Sequence, residues 1–166
     1  MKFFNVVEKR RSIRSFQADI PVKDESLEKI LRAAMLAPTA ANKQPFKLVI
    51  IKNPKDLTFV KLKMVQEAPL AIAIFVDESQ AWTRVHDQQN YAFVDGAIVF
   101  EHIILAATAE GLATVWIANI DPFLMQKHLN MPDNYRFLAL SPIGYSQEEP
   151  KKITRKPKSE LISYYQ

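Results

Sequence analysis

The sequence predicts a mixed α+β fold in which helices cover a central sheet. Residues 27–35 carry apolar side chains at the spacing of one helix face. Residues 70–76 form a continuous apolar run, rich in β-branched residues, that is typical of a strand buried on both faces. Residues 91–110 are apolar over most of a helix circumference. No repeat or linker interrupts these elements, whose order is that of an α+β protein.

The composition is that of an ordinary globular protein and excludes several kinds of site. The 166 residues are 48% hydrophobic and 24% charged, which suits one core rather than two, so we expect a single domain over residues 1–166. There is no cysteine, which excludes disulfides, thiolate metal sites and cysteine nucleophiles. The first residues lack the apolar region of a signal peptide, so a cytoplasmic location is the expectation.

A cluster of four cations and one hydroxyl follows the N-terminal segment. Residues 3–7, Phe-Phe-Asn-Val-Val, predict a short helix whose phenylalanines and valines are buried. Residues 9–14, Lys-Arg-Arg-Ser-Ile-Arg, come directly after it. Guanidinium groups and a serine hydroxyl suit the oxygens of a phosphate. The alternative is a solvated charge run at a helix C-terminus, where cations complement the macrodipole.

The next segments predict a helix and then a polar loop. Asp24 can cap a helix that contains residues 27–35 and ends before Pro38. Residues 38–45, Pro-Thr-Ala-Ala-Asn-Lys-Gln-Pro, form a loop between two prolines. Beyond it the patterns predict strands at residues 46–51, 114–118 and 135–140. They also predict a lysine-rich helix at residues 57–64, a surface excursion at residues 77–90 and a short helix at residues 123–129.

The longest predicted element is a helix over residues 91–110, which Gly111 ends. Asp95, Glu101 and His102 interrupt its apolar surface, and its flanks are polar, so we expect no membrane span. A helix that is apolar nearly all round lies at the centre of a small fold or in a subunit interface. We expect both for this helix.

The positive charge is concentrated in two short segments. The net charge is only +4, yet residues 9–14 and 151–158 hold nine of the 22 lysines and arginines and no acidic residue. Neither segment has interleaved aromatic residues, and no DNA- or RNA-binding motif is present. Convergence on a small anion therefore fits better than nucleic-acid binding.

Several kinds of chemistry are absent from the sequence. With only three glycines there is no dinucleotide-binding or P-loop motif, and no serine lies in a nucleophile elbow. The three histidines, His86, His102 and His128, have no metal-ligand spacing, so we expect no metal site. A lone acid such as Asp95 is more readily explained by a structural role. An enzyme of this composition would need a bound cofactor for its chemistry.

Seven segments in order resemble the nitroreductase-like flavoproteins. Residues 10–16, Arg-Arg-Ser-Ile-Arg-Ser-Phe, resemble the family's R-R-S-x-R-x-F opening. Residues 37–46, Ala-Pro-Thr-Ala-Ala-Asn-Lys-Gln-Pro-Phe, are similar to its A-P-S/T-x-x-N-x-Q-P-W/F loop. Further matching segments are residues 67–69, 95–97, 111–116, 143–145 and 155–157.

The resemblance implies an α+β homodimer with a central, mostly antiparallel sheet, the long helix in the dimer contact and FMN at the subunit interface. The residues implied to bind the phosphate and ribityl region of FMN are Arg10, Arg11, Ser12 and Arg14, with Arg155 on the phosphate. Those implied to reach the flavin from the partner subunit are Pro38, Thr39, Asn42 and Gln44. Those whose backbone is implied to lie beside the isoalloxazine ring are Trp116, Ile117 and Ala118.

The activity implied by the resemblance is FMN-dependent oxidoreduction. NADH or NADPH would give a hydride to flavin N5, and a small electron-poor acceptor such as a nitroaromatic or a quinone would then receive it, in ping-pong order. The chain is short for the family, so any cover over the flavin is small and falls within residues 77–90. Ala113 and Ala118 stand where many members have glycine. The alternatives are a flavin-binding protein without turnover, for storage or sensing, and, more distantly, a nucleic-acid-binding module.

Overall fold

The computed structural model describes residues 2–150 and 153–165, which form helices around one sheet. The helices are α1 Phe3–Lys9, α2 Asp24–Met35, α3 Lys63–Gln66, α4 Ala92–Ala109, α5 Pro122–His128 and α6 Lys158–Leu161, with 3₁₀ turns at Ala40–Asn42 and Pro54–Asp56. The strands are β1 Phe46–Ile51, β2 Leu70–Asp77, β3 Ala113–Thr114 and β4 Tyr135–Gly144. The mixture of helices and strands confirms the predicted α+β class.

The sheet has the strand order β1-β2-β4-β3, and all three pairings are antiparallel. Every residue of β2 is buried, because β2 is a central strand and both faces of the sheet are covered. Side chains alternate along a strand. Ile72 and Ile74 accordingly pack in a cluster with α2 and α4. Phe75 points to the other face, into a cluster that includes Phe16 and Met125 of α5.

The long helix α4 packs closely on the sheet, and Gly96 makes this possible. A β-carbon at this position would lie 2.5 Å from Cγ1 of Val76 and 2.8 Å from Cδ2 of Leu138, closer than side-chain carbons approach one another. Gly111, two residues after the end of α4, has a φ of 78°, the left-handed conformation expected after a helix C-terminus. The predicted helix and its terminal glycine are therefore confirmed.

By length and composition alone α4 could cross a membrane, and among the described residues it is the one helix that satisfies both criteria. In the fold, however, Val99, Phe100 and Ile103 of α4 are completely buried in the cluster between the helix and the sheet. A helix with such a buried side is the core helix of a globular domain, which suffices to explain its apolar composition.

The polar segment between β2 and α4 is a surface excursion, as predicted. Asp77 ends β2, and its carboxylate accepts hydrogen bonds from the hydroxyl of Ser79 at 2.6 Å and from Nδ2 of Asn134 at 2.6 Å. Together these bonds hold the pKa of Asp77 below its ordinary value, with the Ser79 hydroxyl the largest cause and burial opposing it. A single bridge between Thr83 and Asn90 then returns the chain to α4.

Two expectations about helices are wrong. The N-terminal helix forms, but only Val6 is buried, and the side chains of Phe3 and Phe4 are 65% and 75% exposed. The short α1 packs against α4, and the described residues leave the rest of its apolar surface, including Val7, exposed. At the end of α2, Met35 is likewise exposed.

The predicted second helix and the strand after α4 are shorter than expected. Leu57 and Val60 are buried, but tight turns replace a helix here: the Val60 N–H donates to the Leu57 carbonyl at 2.8 Å, three residues back. Regular helix begins only at α3. Of residues 114–118, only Thr114 belongs to a strand, and Ile117 makes a single bridge to Leu140, because β3 pairs with the very end of β4.

Candidate functional site

The basic segment that follows α1 is anchored to the sheet by its backbone. Ser12 forms a parallel bridge with Thr114 of β3, and the Ile13 N–H donates to the Thr114 carbonyl at 2.9 Å. Phe16 bridges Ser146, just beyond β4. Because Ile13 and Phe16 are buried, the extended chain between them is held firmly against the sheet edge.

The alternation of this extended segment determines which side chains face outward. Ile13 points into the core, so Ser12 and Arg14 on either side of it are exposed. Arg11 behaves differently: its Nη1 donates to the carbonyls of Glu8 at 2.5 Å and of Arg10 at 2.7 Å. Arg11 therefore closes the C-terminus of α1, where carbonyl groups lack helical partners.

A cavity of about 550 Å³ opens over this segment and joins both ends of the chain. Its lining consists of Arg10, Arg11, Ser12, Ile13, Arg14, Glu148, Ile153 and Arg155. The structure thus brings the N-terminal arginines together with Arg155, which the sequence separates by most of its length. Lys151 and Lys152, also in the predicted C-terminal basic segment, lie outside the described residues.

The donors around the cavity fit a phosphate group. Four guanidinium groups and one serine hydroxyl offer more hydrogen-bond donors than phosphate oxygens can use, and guanidinium planes match those oxygens bidentately. The carboxylate of Glu101, on α4, also lies close enough to Arg10 for an electrostatic interaction. Partial desolvation raises the pKa of Glu101, and the positive charge of the Arg10 guanidinium opposes that shift.

The proline-bracketed loop lies elsewhere, at the N-terminal end of α4. Thr39 and Gln44 are joined by a hydrogen bond of 3.0 Å from the Gln44 N–H to Oγ1, and the Gln44 amide donates to Oδ1 of Asn42 at 3.2 Å. Ala41, Asn42 and Gln44 have φ values of 50° to 53°, which are uncommon for residues other than glycine. Pro38 and Asn42 are exposed. Within one chain, these four predicted residues do not line the arginine cavity.

Asp95 holds this loop in its unusual conformation. Its Oδ1 accepts a hydrogen bond from the Ala40 N–H at 2.8 Å, and its side chain is buried. Oδ2 has no hydrogen-bond partner among the residues that the structure describes. A buried carboxylate aimed at a backbone N–H stabilises positive-φ residues that would otherwise relax. The structural role expected for Asp95 is therefore a tertiary contact from α4 to the loop.

The third predicted group, residues 116–118, follows β3 directly. The indole of Trp116 packs edge-on against Phe100 of α4, with ring centroids 4.6 Å apart, so its side chain points toward the core. Ile117 is buried and Ala118 is exposed. None of the three lines the arginine cavity, but Thr114, the partner of Ser12, lies only two residues before Trp116. The residue that pairs with Ser12 of the cavity and this segment are thus close along the chain.

Sequence patterns did not reveal Glu148 and Ile153 as cavity residues. The backbone N–H of Arg14 donates to Oε1 of Glu148 at 3.3 Å, which brings a carboxylate in among the arginines. No motif signals this contact, because residues 14 and 148 meet only through the pairing of their neighbours at the sheet edge. Fold geometry was needed to find it.

Comparison with known proteins agrees with the site and the fold. The model of the nitroreductase family matches residues 7–61 and 55–145. The crystal structure of a nitroreductase family protein from Clostridium difficile 630 is 34% identical, with a TM-score of 0.91, and the match covers 100% of this chain and 99% of that chain. An FMN-dependent nitroreductase from Clostridium difficile R20291 is 25% identical, with a TM-score of 0.83 and coverage of 98% and 99%.

Similarity also extends to a curated enzyme. An NADH dehydrogenase of Thermus thermophilus is 27% identical over an alignment 189 positions long, gaps included, which covers 93% of this chain and 91% of that protein. The resemblance noted in the sequence and the fold it implied are confirmed by these matches, since both the family model and the superpositions extend over most of the chain. The chain belongs to the nitroreductase family.

Proposed function

We propose that this chain is an FMN-dependent oxidoreductase that uses NADH or NADPH to reduce a small, electron-poor acceptor such as a nitroaromatic or a quinone. One observation carries the proposal: a cavity lined by four arginines and a serine in a member of the nitroreductase family. The cavity suits a phosphate, and residues 116–118, shortly after β3, offer a flavin ring a largely apolar segment. The whole of residues 1–166 acts as one FMN-binding domain in this proposal.

The charged residues hold the phosphate end of the cofactor. Arg10, Arg14 and Arg155 balance a phosphate dianion, and Ser12 adds a neutral donor. The bridge between Ser12 and Thr114 keeps the bound phosphate in register with residues 116–118. The protein in this way orients the cofactor without supplying a nucleophile or a metal of its own.

FMN, when bound, supplies hydride chemistry in two half-reactions, one with the nicotinamide and one with the acceptor. The chain contributes position and shielding. The exposed Asn42 and Gln44, with the half-buried Thr39 beside them, are available to a flavin bound to a second subunit, because they belong to the loop that Asp95 holds. The excursion over residues 78–90 is the segment available to limit access to the ring.

A second copy of the chain completes the site in this proposal. Large apolar side chains are exposed on α1, on α4 and in the C-terminal segment: Phe3, Phe4, Val7, Phe93, Val94, Leu161, Ile162, Tyr164 and Tyr165. Exposed large apolar side chains concentrated on these few elements favour an interface there. Association of two copies would cover the uncovered face of α1, and would bring the loop of one subunit to the cavity of the other.

We expect the protein to be a homodimer, with a mass in solution twice the 19.0 kDa of one chain. Phe4→Asp should shift the equilibrium toward the monomer, because a carboxylate would be buried at the contact of α1. Light scattering coupled to size-exclusion chromatography measures the mass of the wild type and of the Phe4→Asp variant. A wild-type protein that is monomeric while saturated with FMN would contradict the proposal that a second subunit completes the site.

The activity itself is tested by the absorbance spectrum. The purified protein, alone or after addition of FMN, should be yellow with flavin absorbance, and NADH or NADPH should bleach it under anaerobic conditions. Addition of a quinone should then restore the colour. A colourless protein that takes up no FMN would refute the proposal, whereas bound flavin that neither nicotinamide reduces would favour a binding protein without turnover.

A further inference from the structure

The arginine cavity contains one residue that does not suit an anion. Of the described residues that line it, four are arginines and one, Glu148, is acidic. A carboxylate in this position repels a phosphate and competes with it for the same donors. The charge pattern is therefore unexpected for a site that only needs to bind a phosphate as tightly as possible.

Glu148 is held in the cavity by its surroundings. Its Oε1 accepts the backbone N–H of Arg14 at 3.3 Å. Its own N–H donates to Oγ of Ser146 at 3.1 Å, and that hydroxyl donates to the Glu148 carbonyl at 2.5 Å. Both residues thus belong to one tight turn at the end of β4.

Hydrogen bonds also fix this turn to the basic segment. The Gln147 N–H donates to the Ser15 carbonyl at 3.1 Å, and the Gln17 N–H donates to the Tyr145 carbonyl at 2.9 Å. The side-chain amide of Gln17 also donates to the Ser146 carbonyl at 2.6 Å. The backbone just before Glu148, at residues 145–147, is paired with the segment that carries the arginines, so the turn places the exposed Glu148 side chain beside them.

We propose that Glu148 is a built-in competitor of the phosphate and determines how tightly this chain retains FMN. Its carboxylate accepts the Arg14 N–H and partly neutralises the charge of the arginines. A phosphate must displace this carboxylate to bind, which lowers its affinity for the cavity. This inference rests on the proposed FMN site. Its effect is confined to ligands that carry a phosphate, because the carboxylate lies in the arginine cavity and not beside residues 116–118.

The test compares two substitutions that remove the same charge from the same turn. Glu148→Gln keeps an oxygen that can accept the Arg14 N–H but removes the negative charge. Glu149→Gln removes the charge of the next residue, which is exposed and does not line the cavity. Dissociation constants of FMN and of riboflavin, which lacks the phosphate, are measured with the full chain by quenching of flavin fluorescence.

We expect Glu148→Gln to bind FMN about tenfold more tightly than the wild type, since like charges at close range are strongly unfavourable. Riboflavin binding should not change, and Glu149→Gln should behave as the wild type. Unchanged or weaker FMN binding by Glu148→Gln would overturn the inference. So would an equal gain in Glu149→Gln, or an equal gain for riboflavin.

These outcomes are separable from the failure of the proposed function. A wild-type protein that binds neither FMN nor riboflavin refutes the FMN site itself. A wild-type protein that binds FMN, with a Glu148→Gln variant of identical affinity, leaves the FMN site intact and refutes only the role of Glu148.

Discussion

Arg14→Ala is expected to raise the dissociation constant of FMN by about tenfold to a hundredfold, the usual effect of losing a hydrogen-bonded charge. Arg14 is a sharper probe than Arg11, whose guanidinium also closes the end of α1 through the carbonyls of Glu8 and Arg10. The guanidinium of Arg14 makes one long contact, 3.4 Å from Nη1 to the Ser12 carbonyl. Its removal therefore costs the fold little, and Arg10→Ala should weaken binding similarly.

The control for Arg14→Ala is Lys9→Ala. Lys9 is an exposed cation in the same basic segment, but it does not line the arginine cavity. At physiological salt an exposed charge outside the cavity is largely screened from the phosphate. Equal losses of FMN affinity in both variants would indicate a general charge effect, and full flavin retention by Arg10→Ala and Arg14→Ala would show that this segment does not bind the phosphate.

Phe100→Ala is expected to lower the free energy of unfolding by about 3–5 kcal/mol, because it leaves a cavity at the centre of the core. Phe100 is completely buried between α4 and the sheet, and its ring packs edge-on against Trp116 at 4.6 Å. Loss of the ring removes both the buried area and the aromatic contact. Urea unfolding monitored by circular dichroism measures the change.

Phe123→Ala is the matched control, since it deletes the same side chain from a helix surface. Phe123 is 76% exposed at the start of α5. We expect its removal to change the free energy of unfolding by less than about 0.5 kcal/mol. The fluorescence of Trp116 should shift in Phe100→Ala and not in Phe123→Ala. Equal destabilisation by the two substitutions would contradict the assignment of the core.

Most of the fold could be predicted because the main elements have clear patterns in their own local sequence. The apolar run of β2 and the length of α4, with Gly111 after it, required no knowledge of their partners. The failures occur where burial depends on tertiary contacts. Phe3 and Phe4 look like core residues in the sequence, but α1 is too short and too peripheral to bury them within one chain. Local patterns cannot distinguish a core from an uncovered surface.

The site likewise contains residues that local sequence patterns could identify and residues that they could not. Arg10, Arg11 and Arg14 could be identified because they cluster within five residues, and Arg155 because a family motif marks it. The carboxylate of Glu148 and the loop-holding role of Asp95 depend on contacts between distant segments, which spacing does not encode. The roles of Pro38, Thr39, Asn42 and Gln44 toward a flavin in a second subunit stay predictions, as do those of residues 116–118.

The pairing of residues 12–17 with distant partners has a consequence for synthesis of the protein. Among the described residues, the distant hydrogen-bond and bridge partners of this segment are Thr114 and residues 145–148, so these partners are absent until nearly the whole chain has left the ribosome. Until then Ile13 and Phe16, both buried in the finished fold, are exposed to other chains. The arginine cavity is consequently among the last features to assemble, and a ligand bound there would stabilise only completed molecules.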